Sequence, residues 1–140
     1  MAKRLAAACT LAVLALMLAA VPAGAADGIQ ITISLTATLT NRVAVSVPVQ
    51  IACPTDAGFP EENSLVLLQA VGRSIAHGTG AIAGLVCDGT PHDYTVGALA
   101  DPSGPPFKKG RAVVQMTLRL CDFYNPCMTG YAGPQSITLR

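Results

Sequence analysis

Tryptophan is absent from this chain, and its aromatic complement is three phenylalanines and three tyrosines. Sugar-binding and single-stranded nucleic-acid platforms depend on exposed aromatic faces for stacking, so this scarcity argues against both. Histidine is nearly as rare: His77 and His92 are the only two, and they are not spaced to share a metal on one helical or strand face. No serine lies in a Gly-x-Ser-x-Gly elbow, the turn that exposes a hydrolase nucleophile. Glu61 and Glu62 are adjacent, so in an extended chain they point apart instead of converging as a general acid/base pair. These shortages predict a protein with no catalytic site, no metal centre and no cofactor.

Charge is also sparse and balanced, with nine basic residues against eight acidic ones. Lys3 and Arg4, the apolar run from Leu11 to Val21, and the small triplet Ala23-Gly24-Ala25 are built like a secretory signal peptide, read here as residues 1–25. Pro22 and Gly24 interrupt the run, whereas a stable membrane anchor usually needs about 20 apolar residues in succession. Cys9 precedes the apolar core and is discarded with the leader. Removing 25 of the 140 residues leaves 115, suited to one domain at 26–140. The remainder has seven basic and eight acidic residues, a balance that speaks against nucleic acid or an anionic membrane as partner. Lys108, Lys109 and Arg111, with Gly110 between them, read first as a solvated turn, with a phosphate-binding role as the lesser alternative.

What the sequence does contain is strand periodicity. Ile29, Ile31, Ile33, Leu35, Ala37 and Leu39 alternate with polar residues, and Val43, Val45, Val47, Val49, Ile51 and Cys53 resume the alternation after Asn41 and Arg42. A period of two is a strand with one buried face, so these predict a hairpin or kinked pair turning at Asn41. Pro48 cannot donate to a ladder and belongs at an edge or a bulge. Residues 54–63 have the composition of a loop. Further strands are expected at 64–71, 81–87, 93–99, 111–121 and 136–140, divided by turn signals at Gly78-Thr79-Gly80, Asp88-Gly89, 101–110 and 130–134. The stretch from Gly78 to Ala83 formally fits a dinucleotide fingerprint, but no helix follows it, so it reads as a glycine-rich turn. Seven short strands with no helical spacing predict an all-β, antiparallel immunoglobulin-like β-sandwich, with a small closed barrel as the rival.

Export places the four remaining cysteines in an oxidising milieu, where they are disulfide partners first. Cys121 and Cys127 enclose Asp122-Phe123-Tyr124-Asn125-Pro126, a turn-forming segment, and form the natural local pair. Cys53 is then left with Cys87; the competing arrangement joins Cys53 to Cys121, like the inter-sheet bridge of antibody domains. Chain entropy assigns roughly 4 kcal/mol to the longer loop and about 2.5 kcal/mol to the shorter. A zinc site would need two close pairs, and only one exists.

The run Gly84-Leu85-Val86-Cys87-Asp88-Gly89-Thr90-Pro91-His92-Asp93-Tyr94 follows a valine-rich strand that ends at Cys53. This pattern resembles a family of small exported domains of unknown function from high-GC Gram-positive bacteria, over roughly residues 29–110, with Tyr94 where tryptophan is expected. The resemblance implies a Cys53–Cys87 bridge and an immunoglobulin-like fold, and it implies no activity. The residues themselves suggest that Asp88-Gly89 reverses the chain and that His92 hydrogen-bonds into that turn.

The expected function is therefore that of a secreted, non-catalytic binding or structural module whose partner is an extracellular protein or small molecule. Phe123, Tyr124, Met128 and Tyr131, clustered near the second cysteine pair, are the candidate recognition loop, because tyrosine is enriched at interfaces and a bridged loop loses less entropy on binding. Packing of those rings over the end of the fold is the alternative role. Two rival functions remain. A small protease inhibitor would present Cys127-Met128-Thr129-Gly130 to a protease cleft, though Gly130 weakens the rigidity this needs. A carrier of an apolar molecule, resembling neocarzinostatin-type apoproteins, would line a pocket with Phe107, Phe123 or Tyr131.

Overall fold

The computed structural model describes residues 28–140; the expected leader at 1–25 lies outside the described residues. The strands are β1 (Gln30–Ile33), β2 (Thr36–Thr40), β3 (Ala44–Ala52), β4 (Phe59–Val71), β5 (Ser74–Gly80), β6 (His92–Ala100), β7 (Gly110–Cys121) and β8 (Met128–Leu139). They form one sheet in the order β1-β3-β2-β8-β7-β4-β5-β6, and β3 also pairs with β6. That last pairing is extensive, from Ala44↔Leu99 to Ile51↔His92, and it closes the sheet into a seven-stranded barrel. The expected immunoglobulin-like sandwich is thereby corrected. Its two sheets would each keep free edges, whereas here β3 is paired on both sides and the ring has none. The sheet is also not purely antiparallel, because β2 runs parallel to β8 at Thr36↔Thr138 and Ala37↔Leu139.

The first long strand is interrupted in a way that explains the closure. Register changes between Ile33↔Val49 and Thr38↔Ser46, so residues 34–37 are longer than the β3 segment they face. Pro48 lies at this jog. Its carbonyl accepts a hydrogen bond from Ser34 N at 2.9 Å, so its N–H would have faced the same edge, and the missing donor falls where the ladder is already broken. Beyond the jog, Leu35 points outward at 69 % exposure, departing from the apolar alternation, and its carbonyl accepts from Thr138 N at 2.9 Å. The jog releases β2 from simple hairpin geometry and lets it bridge β3 and β8.

The barrel interior is filled by side chains. Val45, Val47, Val49 and Ile51 of β3 face Leu65 and Leu67 of β4, Val96 and Ala98 of β6, and the inward residues of β7 from Ala112 to Leu120. An extra residue enters β8 between Val114↔Gln135 and Met116↔Ala132. Gly133 sits in that bulge with φ +83°, and a Cβ there would overlap the Val114 carbonyl oxygen, so the expected turn at 130–134 is instead a bulge within a continuous strand.

Two other sequence expectations are corrected. Gly78-Thr79-Gly80 belongs to β5, and residues 81–87 form no strand. Asn63 explains the second point: its Nδ2 donates to Ile82 O at 2.7 Å and its Oδ1 accepts from Ile82 N at 3.0 Å. One side-chain amide thus supplies the donor and acceptor that a neighbouring strand would have offered. Strand β4 also begins at Phe59 inside the expected loop, because it follows β7 out to Cys121.

The two ends of the barrel are distinct. One end gathers the β2–β3 turn, the β4–β5 turn, the 101–109 loop and the end of β8, and it is plugged by Phe107, which is fully buried; burying such a ring stabilises by roughly 2–3 kcal/mol. The other gathers segments 54–58, 81–91 and 122–127 and is covered by Ala57 and Ile82. Asn41 and Arg42 form the β2–β3 turn with φ 49° and 61°, closed by Val43 N to Thr40 O at 3.2 Å, as in a type I′ turn. Asparagine tolerates this region, whereas for arginine, whose Nε makes only a long hydrogen bond to Phe107 O at 3.5 Å, the left-handed backbone is strained and glycine is the usual residue. Replacing Arg42→Gly is expected to raise unfolding stability by about 0.5–1 kcal/mol in urea titration; a loss of stability would show that the Arg42 side chain outweighs its backbone strain.

Candidate functional site

The end covered by Ala57 and Ile82 carries both bridges. Cys53 joins Cys87 across a sequence separation of 34, and Cys121 joins Cys127 across 6, the arrangement preferred from the sequence. The first bridge fixes segment 81–91 to the end of β3, assisted by Gly89 N donating to Cys53 O at 2.9 Å and Val86 N donating to the Tyr94 hydroxyl at 2.9 Å. Tyr94 therefore acts as a strut between β6 and the covering segment. The second bridge ties off the loop between β7 and β8.

Glu61 is the bulged residue where β4 changes register against β7, between Pro60↔Leu120 and Glu62↔Arg119. A bulge re-aims a side chain, and here the carboxylate reaches Arg119 Nε at 3.1 Å and approaches the Cys121 sulfur at 3.0 Å. The Glu61 carboxylate and the Cys121 and Cys127 sulfurs lie within 4.8 Å of one another. Both sulfurs are consumed in the disulfide and have neither a proton to donate nor a thiolate to offer, so the trio does not fit a metal site. Gly58 allows the approach of the 54–58 segment, since a Cβ on it would overlap the Cys121 carbonyl.

On this frame the aromatic side chains stand outward. Phe123 is 86 % exposed and Tyr124 93 %. Phe59, paired with Cys121 in the ladder, brings its ring centroid to 5.4 Å from that of Phe123 at an interplanar angle of 47°, within the range of favourable tilted aromatic contacts. The structure thus adds Phe59, which the loop-like composition around it concealed, and removes two of the expected members. Met128 turns inward to pack against the core. Tyr131 is exposed but lies in β8 opposite Thr117, below the loop. Met128, Thr129 and Gly130 pair with Leu120, Arg119 and Leu118, so they are ladder residues and not a protruding protease-binding loop. Phe107, Phe123 and Tyr131 are likewise not brought together, because Phe107 plugs the opposite end.

The turn containing Asp88 is the most polar feature nearby. Asp88 Oδ1 accepts from Thr90 N at 2.9 Å and Thr90 Oγ1 at 2.7 Å, and contacts His92 Nε2 at 2.9 Å. Thr90, His92 and Asp88 superficially resemble a hydrolytic triad. They are wired differently: the hydroxyl donates to the carboxylate and both meet the same ring nitrogen, so histidine does not stand between acid and alcohol as a relay requires. The cluster is a turn brace, with His92 in the position anticipated from its spacing. The hydrogen bonds from Thr90, with a smaller contribution from His92, lower the Asp88 carboxyl from 3.8 to about 2.

Comparison with protein-family models, curated proteins and solved structures gives no match.

A depressed carboxyl pKa contributes stability only while the group is ionised. The Asp88 brace should therefore be complete above pH 3.8 and be lost as pH falls through about 2. Amide exchange at Thr90, corrected for intrinsic rates, is expected to lose its protection over that window, and D88N to abolish the dependence. Constant protection of Thr90 throughout would contradict this wiring.

Proposed function

We propose that this barrel is a secreted, non-catalytic binding module that engages an extracellular partner through the rim formed by Phe59, Phe123 and Tyr124. The observation that carries the reading is the near-complete exposure of two aromatic rings on a loop closed by a disulfide. Large rings held in water forgo roughly 1.5–3 kcal/mol each of burial free energy, which a partner surface would recover. The Cys121–Cys127 bridge removes much of the loop entropy that binding would otherwise cost. Asp122, Glu61 and Glu62 flank the rings, so the partner surface suited to them has an apolar centre and a cationic border. The two bridges are compatible with an oxidising location, and export through the 1–25 leader supplies that location.

The test is a comparison of the intact chain with F123A/Y124A, both immobilised and exposed to the extracellular fluid of the producing cells. An interface anchor contributes about 2 kcal/mol, so the double variant should retain its partner at least roughly 30-fold less while keeping the same thermal midpoint. Equal retention by both proteins would remove the aromatic rim from the function.

A further inference from the structure

The charges that are balanced in the sequence are separated in space. Arg42, Arg73, Lys108, Lys109, Arg111 and Arg140 all sit at or beside the end plugged by Phe107, where Asp101 is the one carboxylate side chain among the described residues. Asp56, Glu61, Glu62, Asp88, Asp93 and Asp122 lie toward the opposite end, with Arg119 among them. Residues scattered from position 42 to position 140 are collected because the β2–β3 turn, the β4–β5 turn, the start of β7 and the end of β8 meet at one rim.

The two ends also differ in how their charges are satisfied. At the acidic end Glu61 pairs with Arg119, Asp88 accepts from Thr90, Asp93 accepts from Gln50 Nε2 at 3.0 Å, and Asp122 accepts from Asn125 Nδ2 at 2.8 Å. At the basic end, among the described residues, none of the six cations forms an ion pair. Gathering unpaired like charges raises the self-energy of the fold unless an anion neutralises them.

Three of these cations share a prepared recess. Arg42, Lys108 and Lys109, with Leu39 and Asn41, line an open hollow of about 530 Å³ whose lining side chains include no carboxylate. Its backbone is held from within the barrel. Gln69, buried to 4 % exposure, donates through Nε2 to Lys108 O at 2.7 Å and to Arg111 O at 3.2 Å, and accepts from Lys108 N at 2.8 Å. Phe107 N donates to Arg42 O at 2.9 Å, coupling the turn to the loop. The cations are therefore presented by a fixed frame, and one of them keeps a left-handed backbone that glycine would occupy without strain. Arg140 lies next to the recess, its carbonyl accepting from Leu39 N at 2.9 Å.

We propose that this end of the barrel is a binding site for a phosphate-bearing polyanion, with successive phosphate groups seated in the Arg42–Lys108–Lys109 recess and along the neighbouring Arg140 and Arg111. Arginine offers a planar fork to phosphate oxygens and lysine a point charge, so the mixture suits a tetrahedral dianion or diester. The run of cations extends past one phosphate and favours a polymer. Phe59, Phe123, Tyr124 and Tyr131 are all remote from this rim, so there is no stacking platform for bases, and recognition is through phosphate charge alone. The acidic end of a second copy is the less suited partner because most of its carboxylates are already engaged.

The experiment measures binding of the full chain to inorganic polyphosphate at several NaCl concentrations, with inorganic phosphate and single-stranded DNA as the other arms. One phosphate contact for each of Arg42, Lys108, Lys109, Arg111 and Arg140 predicts a log–log salt slope of about −3.5, or an affinity loss of roughly 130-fold between 50 and 200 mM salt. K108E/K109E should bind at least roughly tenfold more weakly and reduce the slope magnitude by about 1.4. Because Arg42→Gly leaves the turn intact, it serves as a second variant and should lose affinity several-fold without loss of fold. D56N/D93N, at the far end and outside the aromatic rim, should bind as the parent does. Absence of polyphosphate binding at low salt, insensitivity to both basic-end variants, or equal affinity for inorganic phosphate would overturn the proposal. Tighter binding of single-stranded DNA than polyphosphate would overturn recognition by charge alone, and salt-sensitive self-association abolished by K108E/K109E and by D56K/E62K would instead assign the rim to a second copy.

Discussion

The hydrogen bonds between β2 and β8 hold this sheet shut, and most of the molecule's features follow from that closure. Leu39 N donates to Arg140 O at 2.9 Å, Arg140 N to Ala37 O at 3.0 Å, and Thr138 N to Leu35 O at 2.9 Å. Without them β2 and β8 would be exposed edges, each a template for pairing with another chain. β2 keeps its hairpin register with β3 from Thr38↔Ser46 to Thr40↔Ala44 while Thr36 and Ala37 pair with β8, and the jog opposite Pro48 provides two residues of slack between β1 and β2. The seam on the other flank is equally short, with β5 meeting β6 at Gly78↔Ala100 and Thr79↔Leu99, so the ring is completed by two short seams, β2–β8 and β5–β6, together with the long β3–β6 pairing.

A closed ring of strands has two ends and nothing else free, and the chain uses them differently. One is covered by a segment held through Asn63, Tyr94 and the Cys53–Cys87 bridge; beside it stands the bridged aromatic loop. The other is plugged by Phe107, and the residues after it are clamped by Gln69, the one buried polar side chain among the described residues. Both caps substitute side-chain hydrogen bonds or covalent sulfur for backbone ladders, which leaves their outer surfaces available for charge and aromatic groups that a packed interior would exclude. The rigid wall of the barrel keeps the two surfaces apart.

The strand alternation at Val45 to Ile51 was legible because a period of two survives wherever one face is buried, and the turn at Asn41 was marked by its own residue type. Cysteine spacing favoured the observed bridges. Residues 81–87 read as a strand because their apolar content is right, but periodicity says nothing about a distant Asn63 that satisfies Ile82 in place of a ladder. Strand β5 was hidden behind Gly78 and Gly80, which look like turn residues yet permit close approach: a Cβ on Gly78 would press on the Phe107 ring, and one on Gly80 would overlap the Gly97 carbonyl oxygen. Sandwich and barrel share strand number and length, and what separates them here is a pairing between elements far apart in the chain. For the same reason Phe59 could not be joined to Phe123, nor Arg42 to Lys108, before the topology was known; Phe123 and Tyr124 were recoverable because they lie between two cysteines.

Closure is tested most directly by native-state hydrogen exchange at the amides of Leu39 and Thr138. In a closed barrel both should be protected to within about tenfold of core amides such as those of Val47 and Val114, since they open only when the ring opens. Exchange of Leu39 and Thr138 at rates typical of a free edge, while Val47 and Val114 stay protected, would show that the sheet is open and contradict the account.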